Sequence, residues 1–303
     1  MHLITDQRYE DFDLVRHDVR DWDLDFRLFG SGGFRGHIRQ LVSPAVIIGF
    51  AKFQCRLQQL GSTPAGYRTF GIPEESCGEF WWRGYQATNQ NLLMFAEDNV
   101  LDSASGARFA IYAVSIHRSE VERLATKLGV TPPPATAIVR HPSASLMAEL
   151  RLAARLAVFD VRSHNRAAAA NALAEKLVCT TSHEETLVRP PLRQRDLAIR
   201  RVIEFLHEPY LPSVRLPALC AVAHVSERTL QYAFKERCGM SPYKFALQWR
   251  LNSAHRDLLA SHPSDKTVAQ IARQHGFDNP SLFTDCYKEL FAQLPSTTLA
   301  TMK

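Results

Sequence analysis

Between residues 11 and 116 the apolar positions fall in short runs separated by Gly, Pro, Asn or Ser, as at 46–50, 80–83, 92–95 and 109–116. The runs are rich in β-branched and aromatic side chains, so this interval predicts a mainly β region. Residues 26–36 (FRLFGSGGFRG) read as a glycine-rich turn between strands. Their spacing does not fit a phosphate-binding loop, which needs four residues between the glycines and then Gly-Lys-Ser/Thr. Tight turns are the use left for those glycines.

After residue 116 the period becomes helical. Residues 117–128 (HRSEVERLATKL) predict a helix capped by Ser119, with Glu122 three positions on, and closed by Gly129. TPPPAT at 131–136 interrupts the chain. Two long Ala- and Leu-rich helices follow at 143–159 and 165–178, with apolar residues three and four apart. Their small side chains suit close approach of helices, either in a dimer interface or on their own domain. Residues 180–194, which include Pro190 and Pro191, read as a linker.

Beyond the linker the pattern repeats. Leu219, Cys220, His224 and Val225 are matched 52 residues later by Ile271, Ala272, Gly276 and Phe277. One extra residue then shifts the offset to 53, and Leu230, Phe234, Lys235, Glu236 and Pro242 correspond to Phe283, Tyr287, Lys288, Glu289 and Pro295. Agreement of apolar, small and turn positions over about 24 residues marks an internal duplication.

Each copy makes physical sense as a helix-turn-helix. A small residue, Cys220 or Ala272, lets two helices cross closely, and Gly276 four positions later suits a left-handed turn, with His224 in its place in the first copy. Val225 and Phe277 anchor the turns, and Ser226 and either Asp278 or Asn279 are placed to cap the second helices. Leu230/Phe234 and Phe283/Tyr287 then bury the inner faces. Residues 242–259 predict one long connecting helix with Phe245, Trp249, Leu251 and Leu258 inward. Such a connector would hold the two second helices about 34 Å apart, one turn of DNA.

Charge agrees with this. Residues 193–303 hold 15 Lys+Arg against 10 Asp+Glu, while the rest of the chain holds 21 of each, so the net charge of +5 lies wholly in the last third. That bias favours a polyanionic partner. In helix-turn-helix proteins the second helix enters the major groove, where Arg and Gln read base edges and Lys, Ser and Thr hold phosphates. The candidate DNA-contacting residues are Ser226, Glu227, Arg228, Thr229, Gln231, Tyr232 and Lys235 in the first copy. In the second they are Asn279, Pro280, Ser281, Thr284, Asp285 and Lys288.

The remaining composition mostly excludes. At 303 residues and 46% hydrophobic the chain has material for two ordinary cores. Its six cysteines form no CxxC pair, and its histidines form no HxH or HExxH, so no metal site, disulfide framework or cofactor is implied. The start MHLITDQRYEDFD places acids where a signal peptide needs a basic start and an apolar run. The longest apolar stretch, 45–53, is far short of the roughly 20 residues that span a bilayer. The expectation is a cytoplasmic protein without membrane contact.

Over about 100 residues, from near Asp196 to near Leu299, the chain resembles the AraC/XylS family of transcription regulators. Residues 268–296 (VAQIARQHGFDNPSLFTDCYKELFAQLPS) carry the signature order of IA, GF, a Phe-rich reading helix, and then the positions of FG and TP. The chain departs from it at Ala292, where the family usually has Gly, and at Leu294, where it often has Thr. The resemblance implies control of transcription, mostly activation, through promoter DNA and RNA polymerase. The N-terminal layout is similar to the family's cupin-like sensor and dimerisation domains, and residues 70–84 (FGIPEESCGEFWWRG) are similar to a stretch of the ethanolamine-utilisation regulators.

The resulting expectation is an α+β chain that is not an enzyme. A β-rich, cupin-like sensor domain spans 1–140, a helical dimerisation or packing segment 141–182, a linker 183–194, and an all-α domain with two helix-turn-helix units 195–303. Tyr67, Phe70, Trp81, Trp82 and Tyr85 either line a pocket for a small-molecule effector, with Arg68 or Arg83 holding an anionic group, or form the domain's core. Two alternatives stand beside the effector-responsive homodimer: a regulator without a ligand, governed by a protein partner, and an enzyme fused to a DNA-binding domain. The second is disfavoured because Cys55 and Cys77 have no activating His beside them.

Overall fold

The computed structural model describes residues 1–96, 100–182, 194–208 and 214–300. The chain divides into two compact units. Unit 1 comprises residues 1–26, 35–54 and 59–190; unit 2 comprises 27–34, 55–58 and 191–303.

The chain begins with β1 (His2–Tyr9), the short helix α1 (Phe12–Asp18), and ten further strands. These are β2 (Asp23–Phe29), β3 (Gly36–Val42), β4 (Val46–Phe53), β5 (Arg56–Ser62), β6 (Tyr67–Pro73), β7 (Phe80–Trp82), β8 (Tyr85–Ala87), β9 (Leu92–Met94), β10 (Val100–Ser105) and β11 (Phe109–His117). The helix α2 (Arg118–Leu128), the strand β12 (Ile138–Arg140) and the helices α3 (Ala144–Phe159) and α4 (Ser163–Thr181) follow. One sheet has the order β1-β3-β4-β11-β6-β9-β12, the other β2-β5-β10-β7-β8.

β11 shows why both faces of the larger sheet are apolar. Successive strand residues point to opposite faces. Ala110, Tyr112, Val114 and Ile116 join a core cluster with Met147, Leu150, Ala154 and Val158 of α3 and Leu173 and Leu177 of α4. Ile111 and Ala113, on the other face, turn toward an internal cavity. Arg155 of α3 is tied to Glu74 at 2.9 Å, and Glu74 also accepts the Tyr112 hydroxyl. Burial works to raise the Glu74 carboxyl pKa, but these two donors outweigh it and leave it lowered.

Two expectations need correction. Ser119 lies inside α2 and its hydroxyl meets His117 Nδ1 at 2.7 Å; the N-cap position is His117, which makes no side-chain cap. Gly129 does close that helix, in the left-handed conformation. The linker expected from residue 180 begins later, since α4 runs through Thr181, and most of the expected linker falls outside the described residues.

Unit 2 is helical: α5 (Gln194–Leu206), α6 (Leu216–Ala223), α7 (Glu227–Cys238), α8 (Pro242–Ala260), α9 (Val268–Gln274), α10 (Pro280–Phe291) and α11 (Pro295–Ala300). α8 is its central beam, burying Phe245, Trp249, Leu251 and Leu258. Trp249 Nε1 donates to the Leu206 carbonyl at 2.8 Å, and Arg250 Nε donates to the His275 carbonyl at 2.7 Å. α8 also buries two amides, Gln248 and Asn252. They bond reciprocally to backbone of the 27–34 segment of the same unit: Asn252 to the N–H and C=O of Leu28, Gln248 to those of Gly30. Phe29 stacks on Phe245 with ring centroids 4.4 Å apart. A side-chain amide carries one donor and one acceptor side, so it can pair with extended backbone as a neighbouring strand would.

Candidate functional site

The two duplicated motifs fold alike. α6 ends at His224, left-handed at φ 53°, and α9 is followed by Gly276 at φ 71°. Ser226 and Asn279 then cap the second helices: Ser226 Oγ accepts from the Thr229 N–H, and Asn279 Oδ1 accepts from the N–H groups of Ser281 and Leu282. Of the alternatives Asp278 and Asn279, the cap is therefore Asn279. α7 and α10 both run for 12 residues. Leu230 and Phe234 in one, and Phe283 and Tyr287 in the other, are fully buried. Helical spacing then leaves the opposite face of each in solvent.

On α7, Arg228, Gln231, Tyr232 and Lys235 come together around one open groove, completed by Met240 and Ser241. The Arg228 guanidinium lies 5.7 Å from the Tyr232 ring centroid. Glu227 opens the helix, where its charge complements the positive end of the dipole. Thr229 is half-buried and its hydroxyl is engaged with Ser226 Oγ at 2.9 Å.

On α10, Pro280 occupies the first turn, and Ser281, Asp285 and Lys288 are exposed. Thr284 is half-buried, its hydroxyl donating to the Pro280 carbonyl at 2.9 Å. A residue that sequence reasoning passed over also stands out: Leu282 is 55% exposed on this outward face. Its counterpart in the first motif is Thr229, and that apolar-for-polar exchange in the repeat was the available signal. A further difference lies behind the second motif, where His275 Nε2 and Asp257 meet at 2.8 Å. The hydrogen bond from His275 lowers the Asp257 pKa against the opposing effect of partial burial.

Unit 1 holds an internal cavity of about 90 Å³, lined from both sheets. Of the residues expected around an effector, Trp82 lines it; Tyr67, Arg68, Phe70, Trp81, Arg83 and Tyr85 are not among its lining residues. Phe70 is fully buried in the helix-facing core. Arg68 instead bonds to the carbonyls of Pro134, Ala135 and Thr136, and Arg83 to that of Val100. Sequence reasoning missed Gln59 and Ser103 on the cavity wall, because no local pattern distinguishes them from other strand residues. Among the described residues no helix is long and apolar enough to cross a membrane.

Comparison with known protein families places one match in the last third. Residues 219–301 match the model of a helix-turn-helix domain family. The chain is 27% identical over 106 residues to the XylDLEGF operon transcriptional activator of Pseudomonas putida, covering 35% of this chain and 33% of that protein. It is 33% identical over 81 residues to the regulatory protein HrpB of Ralstonia nicotianae, covering 27% of this chain and 17% of that protein. A solved structure of a probable AraC family transcriptional regulator from Rhodopseudomonas palustris is 31% identical, with 35% of this chain and 97% of that chain covered and a TM-score of 0.32. The match thus spans about a third of the length of the Pseudomonas relative.

Proposed function

The C-terminal domain of this chain belongs to the AraC/XylS family of helix-turn-helix transcription regulators, and from that premise we propose that the protein is a sequence-specific, promoter-binding activator of transcription. The observation that carries this is the doubled motif: two capped 12-residue helices with buried inner faces and outward side chains suited to base edges and phosphates. In this reading α7 and α10 enter successive major grooves on one face of the duplex. Arg228, Gln231 and Asp285 read bases, while Ser281, Lys235 and Lys288 hold the backbone; Ser226, Thr229, Asn279, Pro280 and Thr284 build the helix starts that aim them.

The protein works in the cytoplasm, without catalysis, by presenting RNA polymerase at the promoter. Unit 1 senses a small-molecule effector, a role supported by its internal cavity. The helix α3 leaves Leu152 and Leu156 exposed, and Val161 after it is 93% exposed, which supports a homodimer formed through this region.

Selection of duplexes from a random pool by the full-length chain tests the reading. A two-part motif is expected, with affinity falling steeply as salt rises. Arg228→Ala should relax one part of the motif only, and Lys235→Ala should weaken binding to all sequences alike. No affinity for any duplex at low salt would overturn the reading, and an unchanged motif and affinity in Arg228→Ala would overturn the assignment of α7.

A further inference from the structure

Small residues set in register floor the cavity in unit 1, which opens at Gly49 while Ile111 and Leu93 close over Gly71. Gly49 of β4 pairs with Ala113 of β11, and Ala113 pairs in turn with Gly71 of β6. This row crosses three adjacent strands with almost no side-chain volume. A Cβ built on Gly49 would meet only the Arg39 carbonyl oxygen, at 3.9 Å, so the space there is open. Around it stand Trp22, Phe26, Ile38, Phe80, Phe95 and Phe109, and the walls are nearly all apolar.

The facing sheet supplies the exception. Gln59 on β5, Ser103 on β10 and Trp82 on β7 sit on three neighbouring strands and line the same cavity. Ser103 and Trp82 are directly paired across the sheet, which brings their side chains to one spot. All three residues are more than nine-tenths buried. Gln59 Nε2, Ser103 Oγ and Trp82 Nε1 are buried and make no hydrogen bond. Among the described residues of unit 1, one other uncharged side-chain atom shares that condition, Thr63 Oγ1. Buried donors without partners are rare in folded proteins because desolvating them is costly, so three on one cavity wall call for an acceptor.

On the opposite wall the charge is balanced and the amide engaged, although the Arg39 Nε is buried without a hydrogen bond. Arg39 is ion-paired with Asp6 and stands over the Phe159 ring, and Gln40 bonds through both ends of its amide to the backbone of Arg20. The three unengaged groups on the facing sheet are neutral donors. We propose that this cavity binds a compact, uncharged, largely apolar molecule carrying one hydrogen-bond acceptor, such as a carbonyl oxygen, which is held by Gln59, Ser103 and Trp82. The inference rests on unit 1 being the sensing part of the regulator. It replaces the anionic effector expected from Arg68 and Arg83. The cavity volume sets the scale, since a dry apolar cavity of about 150 Å³ takes up benzene and this one, of about 90 Å³, suits a molecule of at most about benzene's size.

The test follows thermal unfolding of the full-length chain with cyclopentanone, with cyclopentane, which lacks the acceptor, and with the anion isobutyrate, each at roughly millimolar concentration. Cyclopentanone should raise Tm by a few degrees and cyclopentane by less, while isobutyrate leaves it unmoved. Gln59→Leu and Ser103→Ala should each raise Tm without any probe, because they delete a buried group that has no partner. Each should also weaken cyclopentanone binding about tenfold and leave cyclopentane binding in place. Ala113→Leu, which fills the floor, should block both neutral probes. Preferred binding of isobutyrate, or full cyclopentanone affinity in the Gln59→Leu and Ser103→Ala variants, overturns the ligand class. Absence of any shift with both neutral probes overturns the cavity as a sensing site. Duplex affinity, measured on the same samples, reports separately on the parent reading.

Discussion

The two helix-turn-helix motifs share a skeleton and one exposed Lys–Glu pair, Lys235–Glu236 and Lys288–Glu289, and differ along the rest of the outward helix face. α7 presents Arg228, Gln231 and Lys235, groups rich in donors, around a single groove. α10 presents Leu282, the acceptor Asp285 and one cation, Lys288, and its Thr284 hydroxyl is spent on the helix's own Pro280 carbonyl. Arg and Gln pair with guanine and adenine edges, whereas a carboxylate accepts from cytosine and an apolar side chain meets the thymine methyl. The duplication has therefore kept the buried positions and the turn conformations, which packing constrains, and released most of the outward positions, which only a partner constrains. Two heads built on one core are suited to unlike half-sites.

The turns also differ in a reciprocal way. The first motif has a non-glycine residue, His224, at its left-handed turn and Gly239 after its second helix; the second motif has Gly276 at the turn and Ala292 after the helix, at φ 57°. Each motif thus carries one residue whose Cβ strains that conformation.

The largest effect should come from the shared core. Phe234→Ala empties a fully buried position and should lower unfolding free energy by about 3–5 kcal/mol in urea denaturation. At the equivalent site in the second motif the core is polar: the Tyr287 hydroxyl meets His255 at 2.5 Å and Thr298 at 2.8 Å. Tyr287→Phe should cost about 1–3 kcal/mol there, and a neutral result would mean that the two cores are equivalent after all.

Next comes readout. Arg228→Ala should cost about 1–3 kcal/mol at the α7 half-site and nothing at the other. For α10 the sharper probe is the DNA itself: exchanging thymine for deoxyuridine in its half-site should weaken the wild type but not Leu282→Ala. Equal losses in both proteins would remove Leu282 from the interface.

A smaller change is expected at the helix end, where Ala292→Gly should stabilise the protein by roughly 0.5–1 kcal/mol as the left-handed strain is relieved against a more flexible unfolded chain. Calorimetry resolves this, and destabilisation would contradict the strain argument.

The smallest effect concerns acid. Asp257 has its pKa lowered in the folded state, so it contributes stability that is present above the unfolded carboxylate pKa, about 4, and is lost as pH falls through the lower folded value. The first motif has Ala223 where His275 stands in the second, so hydrogen exchange on acidification should accelerate first around α9 and not α6. Synchronous acceleration would show that the His275–Asp257 hydrogen bond does not distinguish them.

Much of the DNA-reading unit was legible in advance, because helix periodicity, caps and left-handed turns are local properties of the chain. Ser226, Gly276 and the inward Phe234 and Tyr287 could all be placed from spacing. Gln248 and Asn252 could not: they lie buried on α8, and their backbone partners, Leu28 and Gly30, are more than two hundred residues away. The same holds for the cavity. Trp82 was a natural suspect as an aromatic, but Arg68 and Arg83 were assigned by charge type, and the folded chain engages both with carbonyl oxygens.

By itself, then, the sequence determined the helical duplication, the residues that close its turns, and the polar character of the two outward faces, since each follows from neighbours within a few positions. Only the tertiary structure decided that Gly49, Ala113 and Gly71 form a row, and that Gln59, Ser103 and Trp82 meet on one wall. Strand register across a sheet joins residues that share no local pattern, and a cavity is defined by which side chains are small at the same place.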